Sequence, residues 1–90
     1  MRVLEDAGNA TGPWDPKLKP QILRRGLTWM LTTRHYDQRL MKMQRQGRLS
    51  FYLESLGEEA VAVAAAMAFG STDLLFPAYR QQGIFLVRGM

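Results

Sequence analysis

A mostly α chain of two to three helices and one short strand is what these ninety residues predict. Three observations carry that expectation. Apolar residues from Pro20 to Gln46 recur at about 100° per residue, the period of a helix. A second helical run, rich in alanine, extends from Gly57 to Phe69. Asp73-Leu74-Leu75-Phe76 is a short apolar run closed by Pro77, which cannot donate to a sheet ladder. It reads as a buried strand, and from Tyr79 the chain turns helical again.

The elements follow in order. Residues 1–19 read as a flexible tail, because Gly8, Gly12, Pro13, Pro16 and Pro20 break any period. Trp14 is the one residue there with something to bury; it either lies across a neighbouring surface or stays loose. Pro20 suits a first helical position, where its missing N–H costs nothing, and Gly47 suits the stop. On this helix Ile22, Trp29, Tyr36, Leu40 and Met43 form one apolar stripe. Leu23, Leu27, Met30 and Met41 form another, so two neighbours are expected. Arg24, Arg25, Thr28, His35, Arg39 and Lys42 take the remaining face, which makes His35 a solvated histidine. The methionines read as core filler.

Arg48 to Leu53 alternates weakly and reads as extended. Its aromatics Phe51 and Tyr52 suit a core or a substrate wall. Ser55 is a candidate N-cap for the second helix, with Glu58 and Glu59 in the first turn, where the helix dipole favours acids. Adjacent helical residues point apart, so these two glutamates are not a paired acid/base site. The body from Ala60 to Ala68 is apolar on every side and should be buried all round. Its partners are therefore expected in sequence beyond this chain or in another subunit.

Composition narrows the classes. The chain has no cysteine, and a single histidine argues against a histidine-rich metal site. A net charge of +4 and a pI of about 10.0 permit phosphorylated, nucleic-acid or lipid partners but select none. The start lacks a signal-peptide apolar run, and the run from Ala60 to Phe69 is about half of what a membrane span needs. A soluble, cytoplasmic protein with no nucleic-acid and no membrane partner is expected. The pattern carries no stop signal at Leu86–Met90, which suggests a truncated frame. Walker and GxGxxG loops, a Ser-His-Asp order and internal repeats are absent.

The chemistry-bearing stretch is Phe76-Pro77-Ala78-Tyr79-Arg80-Gln81-Gln82-Gly83. A strand-to-helix turn gathers backbone N–H groups that favour an anion, and Arg80 adds a cationic fork suited to phosphate. A phosphate-binding corner with the Tyr79 hydroxyl beside it is one reading. A solvated surface arginine is the other, and these residues alone leave both standing.

Three blocks in order and spacing resemble a known family. They are Leu31-Thr32-Thr33-Arg34 with Asp37-Gln38-Arg39 and Met43-Gln44-Arg45-Gln46-Gly47; Ser50-Phe51-Tyr52 with Gly57-Glu58-Glu59-Ala60; and the Phe76–Gly83 stretch. Across about residues 15–90 the chain resembles the alpha subunits of thiamine-diphosphate-dependent 2-oxo acid dehydrogenases, nearest the bacterial branched-chain 2-oxoisovalerate type. The resemblance implies an α/β thiamine-diphosphate-binding fold, with residues 20–90 its truncated N-terminal part. It implies an α2β2 heterotetramer with a beta subunit, which decarboxylates a 2-oxo acid oxidatively and passes the acyl group to a lipoyl acyltransferase in branched-chain amino acid catabolism.

By the same resemblance, Tyr79 and Arg80 contact the cofactor diphosphate, while Phe51 and Tyr79 face the substrate. The family's magnesium-binding motif, GDG followed by NN, is absent here, as is the activating glutamate of the beta subunit. No catalytic residue and no metal ligand is therefore expected on this chain, magnesium being held elsewhere, and the piece should be inactive alone. Leu53 stands near where pyruvate-type relatives often carry histidine, which favours a branched apolar substrate over the pyruvate or acetoin alternatives. A small basic helical binding module is the rival from another class, with Arg24, Arg25, Arg39 and Lys42 as its polyanion face.

Overall fold

The computed structural model describes residues 4–10 and 12–90; the side chain of Trp14 lies outside the described part, and so do the expectations for its burial and for residues 1–3. Three helices carry the architecture: α1 (Pro20–Arg45), α2 (Glu59–Ala68) and α3 (Gln82–Val87), each packed on the other two. Before them, an isolated antiparallel bridge joins Leu4 to Ala10, and a 3-10 turn covers Gly12–Trp14. Among the described residues no helix is long and apolar enough to cross a membrane.

α1 starts at Pro20 without a side-chain cap. It stops at Gly47, whose φ of 73° is the left-handed conformation that glycine adopts without penalty. The Arg48 amide donates to Met43 O (2.9 Å) and the Gly47 amide to Gln44 O (2.9 Å), the paired bonds of a Schellman stop. Lys42 and Arg45 complement the negative helix end. α3 ends the same way, with Gly89 at φ 74°, Met90 N to Phe85 O (3.0 Å) and Gly89 N to Leu86 O (3.1 Å).

The face α1 turns inward runs between the two apolar stripes expected for it. Its fully buried residues are Thr33 and Asp37. Both are polar and both are satisfied, Thr33 by donating back to Trp29 O (2.8 Å). Small groups set the spacing there: a Cβ on Gly83 would come within 3.3 Å of Thr33 Oγ1 and of Val63 Cγ2. Ile22, Leu23, Leu27 and Tyr36 stay exposed, as do His35 and the basic residues of the polar face.

Three expectations need correcting. α2 is not buried all round: Glu59, Ala62, Val63 and Ala66 face inward, while Val61 and Phe69 remain exposed. α1 and the short α3 cover one side of it and no more. Ser55 does not cap α2, since Glu58 holds the cap position without a side-chain bond and Ser55 is engaged elsewhere. Most plainly, residues 73–76 are not a buried strand. Among the described residues there is no sheet for them to join, and Leu74 and Phe76 are 85% and 92% exposed.

Among the described residues the buried apolar ones are Ala62, Val63, Ala66 and Ile84. The accessible surface is 7142 Å². A compact monomer of 10.3 kDa would show about 5,400 Å². The radius of gyration is 15.2 Å, against about 12 Å for a compact chain of this length. Much of the apolar surface is thus exposed, Leu74, Phe76 and Val61 among it.

Candidate functional site

Two buried acids organise the region from Phe51 to Gln82. Asp37, 2% exposed, comes from the middle of α1. Its Oδ2 accepts from the Ser55 amide (2.8 Å) and the Ser55 hydroxyl (2.7 Å), and its Oδ1 accepts a short bond from the Tyr52 hydroxyl. Three donors compensate the burial of a charge that would otherwise be costly. The Tyr52 ring also meets Tyr36 edge to face, centroids 6.5 Å apart. Burial, and then the hydrogen bond to Asp37, raise the Tyr52 phenol well above its ordinary range.

Glu59, at the start of α2, is the second acid. Its Oε1 accepts from Arg34 Nε (2.8 Å) and Nη2 (2.6 Å), and its Oε2 from the Gly57 amide (2.8 Å). Burial alone would push this carboxyl up. Its own backbone amide, Arg34 and the Gly57 amide outweigh burial and hold it below the ordinary glutamate value. The expected role at the helix start is therefore joined by a tie across to α1.

Gln82, the first residue of α3, closes the group. Its Nε2 donates to Leu53 O (2.5 Å) and to the Tyr52 hydroxyl (3.0 Å). Leu53 O can only accept, which fixes the amide's orientation. Gln82 Oε1 is then buried without a hydrogen-bond partner. None of Asp37, Tyr52, Ser55 or Gln82 was singled out from the sequence as a linked set. The available signal was Asp37 itself, one turn after Thr33 on the inward face of α1.

The residues expected to face a ligand sit around this group with their own side chains open. Phe51 is 68% exposed and Tyr79 73%. Arg80 is exposed as well; Nη1 lies 3.4 Å from Glu54 O, and among the described residues no carboxylate pairs with it. The helix expected from Tyr79 begins only at Gln82. The Ala78 amide donates to Gln81 Oε1 (2.8 Å) and the Gln81 amide to Ala78 O (3.1 Å), and this turn leaves Tyr79 and Arg80 ahead of α3. A six-residue helix that starts beyond Arg80 adds little to an anion site, so any grip rests on the guanidinium and the phenol.

Two shallow concavities, of about 290 Å³ and 200 Å³, lie elsewhere. The first is lined by Gln38, Met41, Lys42, Arg45 and Glu54, and neither includes Phe51, Tyr79 or Arg80. All three side chains are exposed. Among the described residues no three acidic or histidine side chains gather to hold a metal ion.

The family model described as "Dehydrogenase E1 component" matches residues 27–90. The chain is 51% identical over 88 residues to the 2-oxoisovalerate dehydrogenase subunit alpha of Pseudomonas aeruginosa, covering 98% of this chain and 22% of the relative. It is 42% identical over 73 residues to the 3-methyl-2-oxobutanoate dehydrogenase subunit alpha of Mycobacterium tuberculosis, covering 81% and 20%. With the human mitochondrial 2-oxoisovalerate dehydrogenase subunit alpha it shares 37% identity over 91 residues, covering 97% and 20%. The chain thus spans about a fifth of the length of these relatives. No solved structure matches it.

Proposed function

This chain belongs to the dehydrogenase E1 component family, and we propose that it supplies one wall of the cofactor and substrate site of a branched-chain 2-oxo acid dehydrogenase. In that role it is part of an alpha subunit that joins a beta subunit in an α2β2 assembly. The assembly decarboxylates 2-oxoisovalerate and hands the acyl group to a lipoyl acyltransferase. The names of the relatives support the substrate class. The observation that carries the site is the guanidinium of Arg80, which among the described residues is held by a carbonyl at 3.4 Å alone and directly follows an exposed tyrosine.

That donor set fits a diphosphate. Arg80 offers a planar fork of N–H donors without an internal carboxylate to compete, and Tyr79 offers a hydroxyl. When bound, thiamine diphosphate supplies the electron sink for decarboxylation. This chain's residues bind and orient: Arg80 neutralises phosphate charge, Tyr79 fixes its register, and Phe51 shapes the apolar end where the substrate side chain lies. Magnesium and the acid that activates the cofactor come from polypeptide beyond these residues. The open geometry of the wall agrees with a site completed by another subunit.

Arg80→Ala in the full-length αβ assembly should weaken thiamine diphosphate binding by roughly 2 kcal/mol, about thirtyfold in Kd. Calorimetric titration of wild type and variant measures it, and equal dissociation constants would reject the assignment. Comparing turnover of 2-oxoisovalerate and pyruvate in the same assembly tests the substrate class.

A further inference from the structure

Every cross-link between the two arms of this wall is made by a residue next to, or just beyond, an open side chain. Gln82 reaches back to Tyr52 and Leu53, which directly follow Phe51. Arg80 reaches Glu54 O. From beneath, Asp37 takes the hydroxyl of Tyr52 and both donors of Ser55. The direction of these bonds is forced. A carboxylate only accepts, so the Tyr52 hydroxyl gives its proton to Asp37 and is left as the acceptor for Gln82 Nε2. The result is a one-way line, from the start of α3 through the phenol to the middle of α1.

We propose that Asp37, Tyr52 and Gln82 are positioning residues that set the distance between Phe51 and the Tyr79–Arg80 pair, coupling cofactor grip to substrate selection. The proposal rests on the cofactor reading above. The line is rooted in buried groups, Asp37 and Ser55, and it joins two segments, 51–55 and 78–82, that turn Phe51, Tyr79 and Arg80 outward, so its state bears on the open side chains as well as on the core. Breaking it should let the two arms shift relative to one another while the α1–α2 contact, tied separately by Arg34 and Glu59, holds.

The test uses the full-length alpha subunit assembled with its beta partner. Tyr52→Phe keeps the ring and removes the hydroxyl. Its expected result is a rise of about five- to tenfold in both the Kd for thiamine diphosphate and the KM for 2-oxoisovalerate, with kcat at saturating cofactor changed less than twofold. Gln82→Leu, at a partly buried position, removes the bond to Leu53 O as well and should raise both constants at least as much, and it carries the test if Tyr52→Phe does not assemble. The double variant should be no worse than the worse single one, as for partners in one line.

A lower melting temperature of the apo assembly with wild-type Kd and KM would reduce the line to a brace and overturn the proposal. Additive losses in the double variant would overturn it too. Wild-type Kd in Tyr52→Phe beside weakened binding in Arg80→Ala would sink the positioning role alone. Unchanged binding in Arg80→Ala would remove the cofactor reading and this proposal with it.

Discussion

The segments 52–59 and 73–80 have comparable lengths and opposite characters. In the first, Tyr52, Ser55, Gly57 and Glu59 are tied to α1 or to one another by hydrogen bonds of 2.8 Å or less, and Ser55 and Glu59 are buried. In the second, Leu74, Phe76 and Tyr79 stand in solvent; its ties are at the ends, where Asp73 bonds Gly70 and Arg88 and where Ala78–Gln81 forms a turn, with Leu75 packed on the core and a long contact from Arg80. The lesson is a division of labour. Polar bonds to two buried acids fix one segment in place, and the other is carried on it with its chemistry uncommitted. A wall built this way is rigid at its root and open at its face, which suits a site finished by a second chain.

Removing the root should have the largest effect. Asp37→Ala orphans three donors in a buried setting and should lower the local stability of 52–55 by about 3 kcal/mol. In the assembled protein, the hydrogen-exchange protection of the Ser55 amide should fall by roughly a hundredfold; unchanged protection would mean that segment is held by packing alone. A smaller effect is expected at the second acid. Glu59 has a lowered pKa in the folded chain, so its contribution is present above the ordinary glutamate value and is lost as pH falls through the lowered one. Protection at the Gly57 amide, corrected for intrinsic exchange, should therefore decline on acidification through that window. Glu59→Gln should start about fivefold lower, since one partner, Arg34, is half exposed, and should show no such decline. The smallest effect belongs to the open segment. Leu74→Ser should leave protection at Ser55 and Gly57 within a factor of about two, and a larger loss would show that 73–80 braces its neighbour after all.

How legible this was varied by element. α1 could be placed within a residue, because Pro20 and Gly47 act through their own backbone limits and need no neighbour. The extent of α2 was legible for the same kind of reason, but its burial was not. An apolar composition says that a surface should be covered, without saying whether the cover is present. Residues 73–76 failed on that count: a strand exists only with a partner strand, and none lies among the described residues. Ser55 was misread because a serine before a helix looks like a cap, whereas a carboxylate eighteen positions earlier, at Asp37, captured both of its donors. Tyr79 and Arg80 stood out as one of two readings of a turn before a helix, resemblance gave them and Phe51 their roles, and the structure adds their exposure. The line beneath them depends on long-range pairing that no local pattern encodes.

The exposed stretch after α2 carries one more consequence, for behaviour before assembly. Extended chain with apolar side chains invites strand addition by other copies, the usual route to aggregation. Here the invitation is brief. The amide of Asp73 is spent on Gly70 O and that of Ala78 on Gln81. Pro77 has no amide to offer, so only Leu74, Leu75 and Phe76 remain free to pair. A proline set one residue after the most exposed phenylalanine acts as a gatekeeper, protecting a sticky segment while it waits for its cover.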